Sequence, residues 1–271
     1  MYSKHVDISI VNSCNLHCDY CKSSAKGVRK NNERGVYDVE SPIIDADFLV
    51  DYIVTHLKGY IVQLTGGEPL THPAIGYLLR TITKTNPVIV CTNGDLLPMH
   101  EKLLDIKNIV WRISYHPEYR KNDIHGIVEL VENHGADYII NYVCHPRHIE
   151  NDNVIDYIKD IRNYNHEVSE FEGSYRGENY RLMFPIYDGL RTPVGDIVDG
   201  LYMLTVRPNG LVYSCHGKAD EPIGDVYANS LYGEPCKMHC SHCGKSLCPT
   251  YISLDRMKKA IPSLEWPLIS D

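Results

Sequence analysis

The sequence predicts an α/β protein: a partial (β/α)6 barrel, open on one side, with a small C-terminal β-hairpin and a cysteine-rich extension. Three observations predict it. Short β-branched runs alternate with segments of helical periodicity up to residue 172. That alternation then stops. Cysteines crowd into two places, Cys14–Cys21 and Cys215–Cys248.

The elements follow in order. HVDISIV (5–11) reads as a strand. Asp45 caps a helix with Phe48, Leu49, Tyr52, Ile53 and Leu57 on one face, and Gly59 ends it. YIVQLT (60–65) is the second strand, and Pro73 sits in the first turn of a helix with Ile75, Leu78, Leu79 and Ile82 inward. VIVCT (88–92) is the third strand, followed by a short helix near 98–106. IVWRISY (109–115) is the fourth, and Asp123 caps a helix through Val131 that Gly135 ends. DYIINYVC (137–144) is the fifth. Residues 151–164 are helical, with Val154, Ile155, Ile158 and Ile161 inward, and residues 167–171 form the sixth strand. Such alternation implies right-handed crossovers and a mostly parallel sheet. Six units are too few for a closed eight-stranded barrel and suit an open, TIM-like one.

Residues 172–200 read as irregular, with Arg176, Arg181 and Arg191 among several Gly and Pro. LYMLTVRPNGLVYSC (201–215) reads as a hairpin turning at Pro208-Asn209-Gly210. The expected division is a barrel core over 1–172, a connecting, substrate-covering segment over 173–200 and an auxiliary region over 201–271.

Composition narrows the function. The chain has 271 residues, 43% of them hydrophobic, enough for a large core without disulfides. No signal peptide or membrane-length apolar run is visible, so the expectation is a cytoplasmic protein with no membrane partner. The net charge of -8 argues against a nucleic-acid partner. Ten cysteines in a cytosolic chain are poor disulfide material, and their clustering points to metal.

Cys14, Cys18 and Cys21 follow the first strand with C-x3-C-x2-C spacing. Sites of α/β folds gather at the C-terminal ends of strands. Iron–sulfur clusters are held by thiolates, and three ligands leave one iron of a four-iron cluster open to a chelating molecule. Zinc is the alternative, with His17 as a fourth ligand. Gly66-Gly67-Glu68-Pro69 follows the second strand. The glycines permit close backbone approach to a ligand, and Glu68 supplies an acceptor for an ammonium.

Together these motifs resemble the radical S-adenosylmethionine (SAM) superfamily, which carries CxxxCxΦC after strand one and GGE after strand two. CNLHCDYC matches, with Tyr20 as the aromatic position. The resemblance implies a [4Fe–4S] cluster on Cys14, Cys18 and Cys21 whose fourth iron is chelated by SAM. It also implies that Gly66, Gly67 and Glu68 receive the methionyl amine, with Tyr20 near the adenine. Thr92, Asn93 and Ser114 match where the superfamily contacts methionine and ribose. The implied chemistry is reductive cleavage of SAM to a 5′-deoxyadenosyl radical that abstracts hydrogen from a substrate carbon. A flavodoxin- or ferredoxin-type electron donor is implied with it.

The second group is Cys215, ending a Gly-x4-Cys hairpin, then Cys236, Cys240, Cys243 and Cys248. It is similar to the auxiliary-cluster extension called SPASM, or its shorter form, twitch. The upstream ligand of that pattern is missing. Five cysteines suffice for one further [4Fe–4S] cluster, on Cys215, Cys240, Cys243 and one of Cys236 or Cys248. The alternatives are a cluster on Cys236, Cys240, Cys243 and Cys248, or structural zinc with His216, His239 and His242 as spare ligands.

Two isolated residues are catalytic candidates. Cys144 ends the fifth strand and could return a hydrogen atom to a substrate radical, or be an inert core thiol. His116 follows the fourth strand and could accept a proton. The expected function is oxidation (dehydrogenation) or epimerisation of a small polar molecule, aided by one auxiliary cluster. A maturase of a ribosomally made peptide and a non-catalytic iron–sulfur or zinc scaffold are the alternatives.

Overall fold

The structure, a computed structural model, describes residues 3–16, 18, 21, 43–170, 173–175, 178–180, 201–214, 221–234 and 236–237. Six strands pair in sequence order, all parallel: β1 (Ser3–Val11), β2 (Ile61–Gly66), β3 (Val88–Thr92), β4 (Ile109–Tyr115), β5 (Asp137–Cys144) and β6 (His166–Glu170). The helices between them are α1 (Ala46–His56), α2 (Ile75–Ile82), α3 (Ile124–Asn133), α4 (Pro146–Glu150) and α5 (Val154–Ile161). No helix among the described residues is long and apolar enough to cross a membrane.

The strands are rich in β-branched residues because both faces are covered, as in parallel sheets generally. Side chains alternate between the faces. Val6, Ile8, Leu64, Val90, Trp111, Ile113, Ile140 and Tyr142 join one apolar cluster with Leu49, Ile53, Leu78, Ile127, Val128 and Ile158 of the helices. The alternate positions, among them Asp7, Gln63, Cys91, Arg112, Asn141 and Glu167, face the other way. Arg112 of β4 bonds Glu167 of β6 across the intervening β5, which marks that face as concave. It is the lumen of an open barrel.

Local details differ from the expectations. Pro73 precedes α2 because a short 3-10 turn, Pro69–Thr71, takes up the chain first. The segment after β3 is a 3-10 helix, Leu97–Leu103, kinked at His100. The helix expected over 151–164 begins earlier and divides into α4 and α5, with Asp152 between them at φ 55°. Ile155 faces outward, and so does Phe48, whose ring meets Tyr227 edge-on at 5.4 Å. Within the segment expected to be irregular, β7 (Gly173–Tyr175) and β8 (Glu178–Tyr180) form an antiparallel pair. Arg176, Arg181 and Arg191 lie outside the described residues.

The hairpin forms where expected, with Gly210 at φ +82° in its turn, but it does not stand apart. Its first strand, β9 (Leu201–Val206), pairs parallel with β1 and makes a seventh parallel strand. Next to it run β10 (Leu211–Tyr213), then β11 (Gly224–Asp225) and β12 (Ser230–Leu231). The short β13 (Cys236–Lys237) pairs antiparallel with β9 below β10. Asn229 bonds Asp51 and His56, clasping this edge to α1.

Candidate active site

The C-terminal ends of β1, β2 and β3 are bolted together by backbone and side-chain bonds. Gly67 N donates to Val11 O at 2.9 Å, and Glu68 N donates to Ser13 O at 2.7 Å. Thr71 Oγ1 and Ser13 Oγ meet at 2.7 Å. The glycines are required by this contact between chain segments. A Cβ on Gly66, at φ +136°, would sit 2.1 Å from Val11 O, and one on Gly67 would sit 2.1 Å from Ser13 O. The close approach expected toward a ligand is first an approach to the cysteine loop.

Glu68 is fully enclosed. Its Oε1 accepts from Thr92 Oγ1 at 2.7 Å and Leu70 N at 3.1 Å, and its Oε2 accepts from Asn93 N at 2.7 Å. Burial pushes its carboxyl up to about 7, against the pull of these three donors. The residue therefore clamps the β3 end to the β2 end. Thr92 spends its hydroxyl on Glu68 while accepting from Gly94 N.

Asn93 extends the clamp to the cysteines. Its Nδ2 donates to Asn15 Oδ1 at 2.8 Å and lies 3.9 Å from Cys14 Sγ, which also accepts from Leu16 N at 3.4 Å. Cys18 is buried, Cys14 and Cys21 are half-buried, and none of the three is in a disulfide. This donor set suits an iron–sulfur cluster: thiolates hold it, and N–H groups aimed at sulfur stabilise the charge it carries. Among the described residues no three His, Cys, Asp or Glu side chains converge as a single ion requires. Tyr20 and His17 lie outside the described residues.

Two residues that the sequence did not single out tie the β4 loop to this frame. Asp95 accepts from Lys121 N and Asn122 N at 3.0 and 3.2 Å. Arg120 donates to Asn93 O at 3.2 Å and lies over the Tyr115 ring. Ser114, expected near the ribose, faces the lumen half-buried beside Asn141. His116 is held neutral: burial, then the charges of Arg120 and His148, lower its pKa to about 4. A neutral imidazole is the form that accepts a proton.

Cys144 is not at the mouth. It is buried in the apolar cluster on the helix side with Tyr142, while Asn141 and Val143 take the other face. Strand alternation decides this. The thiol that does face the lumen is Cys91, beside Arg112, and burial pushes its pKa up to about 12, so it stays protonated.

Below the mouth each parallel strand contributes one polar side chain to the lumen: Thr205, Asp7, Gln63, Cys91, Arg112, Asn141 and Glu167, from β9 and then β1 to β6. Gln63 Nε2 donates to Asp7 Oδ1 at 3.0 Å, and Arg112 Nε donates to Glu167 Oε1 at 2.8 Å. Burial opposes the Arg112 charge, but Glu167 and Cys91 outweigh it and keep the guanidinium protonated. Gln63 Oε1, Glu167 Oε2 and Thr205 Oγ1 are buried with no hydrogen-bond partner. An unsatisfied buried polar atom costs about 1–3 kcal/mol. The sequence carried a signal for most of these residues, namely a polar residue inside an otherwise apolar strand, as Gln63 and Arg112 are.

An α/β barrel with thiols after β1 and a glycine–glutamate clamp after β2 defines an enzyme class that works through a strand-end cluster. The chain belongs to the radical SAM superfamily, whose family model matches residues 8–169. A [4Fe–4S] cluster and SAM are therefore its cofactors. Among curated proteins it is similar to GTP 3′,8-cyclase of Alkaliphilus oremlandii, 30% identical over 112 residues, covering 38% of this chain and 32% of that one. The enzyme of that name from Clostridium acetobutylicum is 30% identical over 102 residues, covering 36% and 30%. The chain thus spans about a third of the length of these relatives. Among solved structures it resembles Streptococcus suis SuiB bound to S-adenosylmethionine, with TM-score 0.60, 13% identity and coverage of 86% and 66%. It also resembles anSMEcpe with bound AdoMet, with TM-score 0.56, 15% identity and coverage of 96% and 98%. These last two likenesses are of fold.

Proposed function

We propose that this radical SAM enzyme abstracts hydrogen from a carbon of a small polar molecule and oxidises or epimerises it. One observation carries the reading: on the inward face of the sheet, between the bolted cysteine mouth and an apolar floor of Ile61, Ile89, Val110 and Ile139, the strands carry the polar side chains Asp7, Gln63, Arg112, Asn141 and Glu167. When bound, the cluster on Cys14, Cys18 and Cys21 supplies the electron that cleaves SAM to the 5′-deoxyadenosyl radical.

The residues of the chain position the partners. Asn93 and Leu16 N stabilise negative charge on Cys14 sulfur. The N–H groups of Gly67 and Glu68 are spent on Val11 and Ser13, so the carbonyl oxygens of the turn would receive the SAM ammonium, with the enclosed Glu68 carboxyl held behind them by Thr92, Leu70 and Asn93. Thr92 and Asn93 act by holding Glu68 and the loop, Ser114 lies toward the ribose, and Tyr20 is assigned to the adenine. His116, neutral above about pH 4, is the proton acceptor at the mouth. In an epimerisation the returning hydrogen atom comes from Cys91, which faces the lumen. Its sulfur radical then takes an electron from the external reductant and a proton from solvent.

An auxiliary cluster on Cys215, Cys240, Cys243 and Cys236 is part of the proposal. Cys215, Cys240, Cys243 and Cys248 lie outside the described residues, and of Cys236 only the backbone is described. Its support is register: Tyr213 pairs with Thr205, two residues before Cys215, and Cys236 pairs with Met203, two residues below Thr205. Iron and sulfide analysis of a Cys14→Ala/Cys18→Ala/Cys21→Ala variant checks it. Retained iron supports the second cluster; zinc with no iron overturns it.

The reaction is tested by anaerobic incubation of the reconstituted enzyme with SAM, dithionite and deuterated candidates. Small polyols and amines, GTP and short peptides form the arms. Deuterium in 5′-deoxyadenosine from the small polar arm alone supports the reading. Deuterium from GTP or peptide alone overturns it in favour of the activities named for the relatives and neighbours. Solvent deuterium returned to the product by wild type and not by Cys91→Ala identifies epimerisation.

A further inference from the structure

We infer that Arg120 is a positioning residue for SAM, its charge reaching the buried Glu68 through an unbroken relay of hydrogen bonds: Arg120 Nη1 to Asn93 O, Gly94 N to Thr92 Oγ1, and Thr92 Oγ1 to Glu68 Oε1. The inference rests on the reading that the Gly66–Glu68 turn receives the SAM ammonium, and it adds a residue of the β4 loop to that site.

The three links run in one direction. Arg120 Nη1 donates to Asn93 O at 3.2 Å. That oxygen shares a peptide group with Gly94 N, which donates to Thr92 Oγ1 at 3.0 Å. A hydroxyl that accepts from an N–H turns its own proton elsewhere, and Thr92 donates it to Glu68 Oε1 at 2.7 Å. Every donor therefore points from the guanidinium toward the carboxylate. Bonds aligned in this way polarise one another, most strongly where water is absent. Thr92, Asn93 and Glu68 are 1%, 6% and 1% exposed.

The cation has charge to lend. Arg120 bonds carbonyl oxygens, Asn93 O and Asn122 O, rather than a carboxylate. Its Nη2 is buried with no hydrogen-bond partner among the described residues. Asp95 and Asp123, the acids that act on it, spend oxygens on Lys121 N, Asn122 N and Gly126 N. Burial lowers the Arg120 pKa, the mark of a charge held away from water. At the other end, burial opposes the Glu68 charge. A donor chain backed by a cation favours the ionised carboxylate there, behind the carbonyls of the turn.

The turn after β3 is shaped for this. Gly94 takes φ +83°, a conformation that favours glycine, while its N–H returns to Thr92. A Cβ on Gly94 would lie 3.1 Å from Ile113 Cγ2 and 3.7 Å from Arg120 Nη2, so the bare glycine seats the guanidinium. The next peptide group back grips the other carboxylate oxygen, with Asn93 N donating to Glu68 Oε2 at 2.7 Å. One short turn thus holds both Glu68 oxygens on one side and the cation on the other.

The test is equilibrium binding of SAM, without turnover. Anaerobically reconstituted enzyme is titrated calorimetrically with SAM, and urea unfolding of the same samples reads the fold. Arg120→Gln, which keeps a donor and loses the charge, should weaken binding roughly fivefold or more. Arg120→Lys should stay within about twofold of wild type, since the relay needs one N–H and the charge. Thr92→Val cuts the relay, and in that background Arg120→Gln should weaken binding by less than about twofold. Equal losses in Arg120→Gln and Arg120→Lys mark a mere tie between loops and overturn the inference. So does a fully additive loss in the Thr92→Val background, which would mean that Arg120 acts by another route. Glu68→Gln separates this inference from the reading beneath it. If that variant leaves SAM affinity unchanged, the assignment of the turn to the ammonium falls and the inference falls with it. If it weakens binding while Arg120→Gln does not, the inference alone fails.

Discussion

The seven parallel strands carry two unlike faces. Toward the helices they present Val6, Ile8, Leu64, Val90, Trp111 and Ile140, all fully buried in one cluster. Toward the lumen they present Asp7, Gln63, Arg112 and Glu167, with unsatisfied atoms among them. The same backbone thus separates two tasks. The outer face supplies stability by burying apolar area. The inner face keeps polar groups at a cost to stability, as sites that await a ligand do.

Four substitutions sharpen or break that comparison. Trp111→Ala should cost about 3–5 kcal/mol in denaturant unfolding, the cavity being wholly enclosed. A cost below about 1 kcal/mol would mean that the outer face is not the core. Gly67→Ala should cost about 3 kcal/mol or more, because its Cβ would meet Ser13 O at 2.1 Å. Reduced iron incorporation should accompany it, since the clash falls beside Cys14.

His116 gives a smaller, pH-dependent effect. Its folded pKa of about 4 lies below the ordinary 6.5, so its contribution is complete above pH 6.5 and is lost as pH falls through 4. The size expected is on the order of 3 kcal/mol. Melting temperature followed down past pH 4 should fall less steeply in His116→Gln, and parallel curves would refute the assignment. Thr205→Val is the smallest and has the opposite sign. Removing an unsatisfied hydroxyl should leave stability unchanged or raise it by up to about 1 kcal/mol. Destabilisation comparable to Trp111→Ala would erase the distinction between the faces.

Much of this is legible in the sequence. HVDISIV, YIVQLT, VIVCT, IVWRISY and DYIINYVC became β1 to β5 with ends shifted by two residues at most. Asp45 caps α1 as its position implied, its Oδ1 accepting from Asp47 N and Phe48 N. What failed was phase. A strand buried on both sides is apolar at most positions, so DYIINYVC does not say which way Cys144 points. Only its neighbours settle that Asn141 faces in and Cys144 out. The partner of β1 failed for another reason. Nothing local in LYMLTV announces a parallel pairing with residues 3–8. The clamp by Glu68 was half legible: its position was, but not that its oxygens would serve Thr92 and Asn93.

The pairing of Ser3 with Leu201 has a consequence for how the chain comes together. β1 is made first, yet its second neighbour is made after all six barrel strands. Contacts so distant in sequence form slowly, and domains assemble as they are synthesised. The strand that leads into the cysteine loop therefore keeps one edge of bare N–H and C=O groups until residues 201–206 arrive. An open edge of that kind invites pairing with another chain. A chain cut short before Leu201 should associate through β1, and the late strand serves as a built-in guard against it.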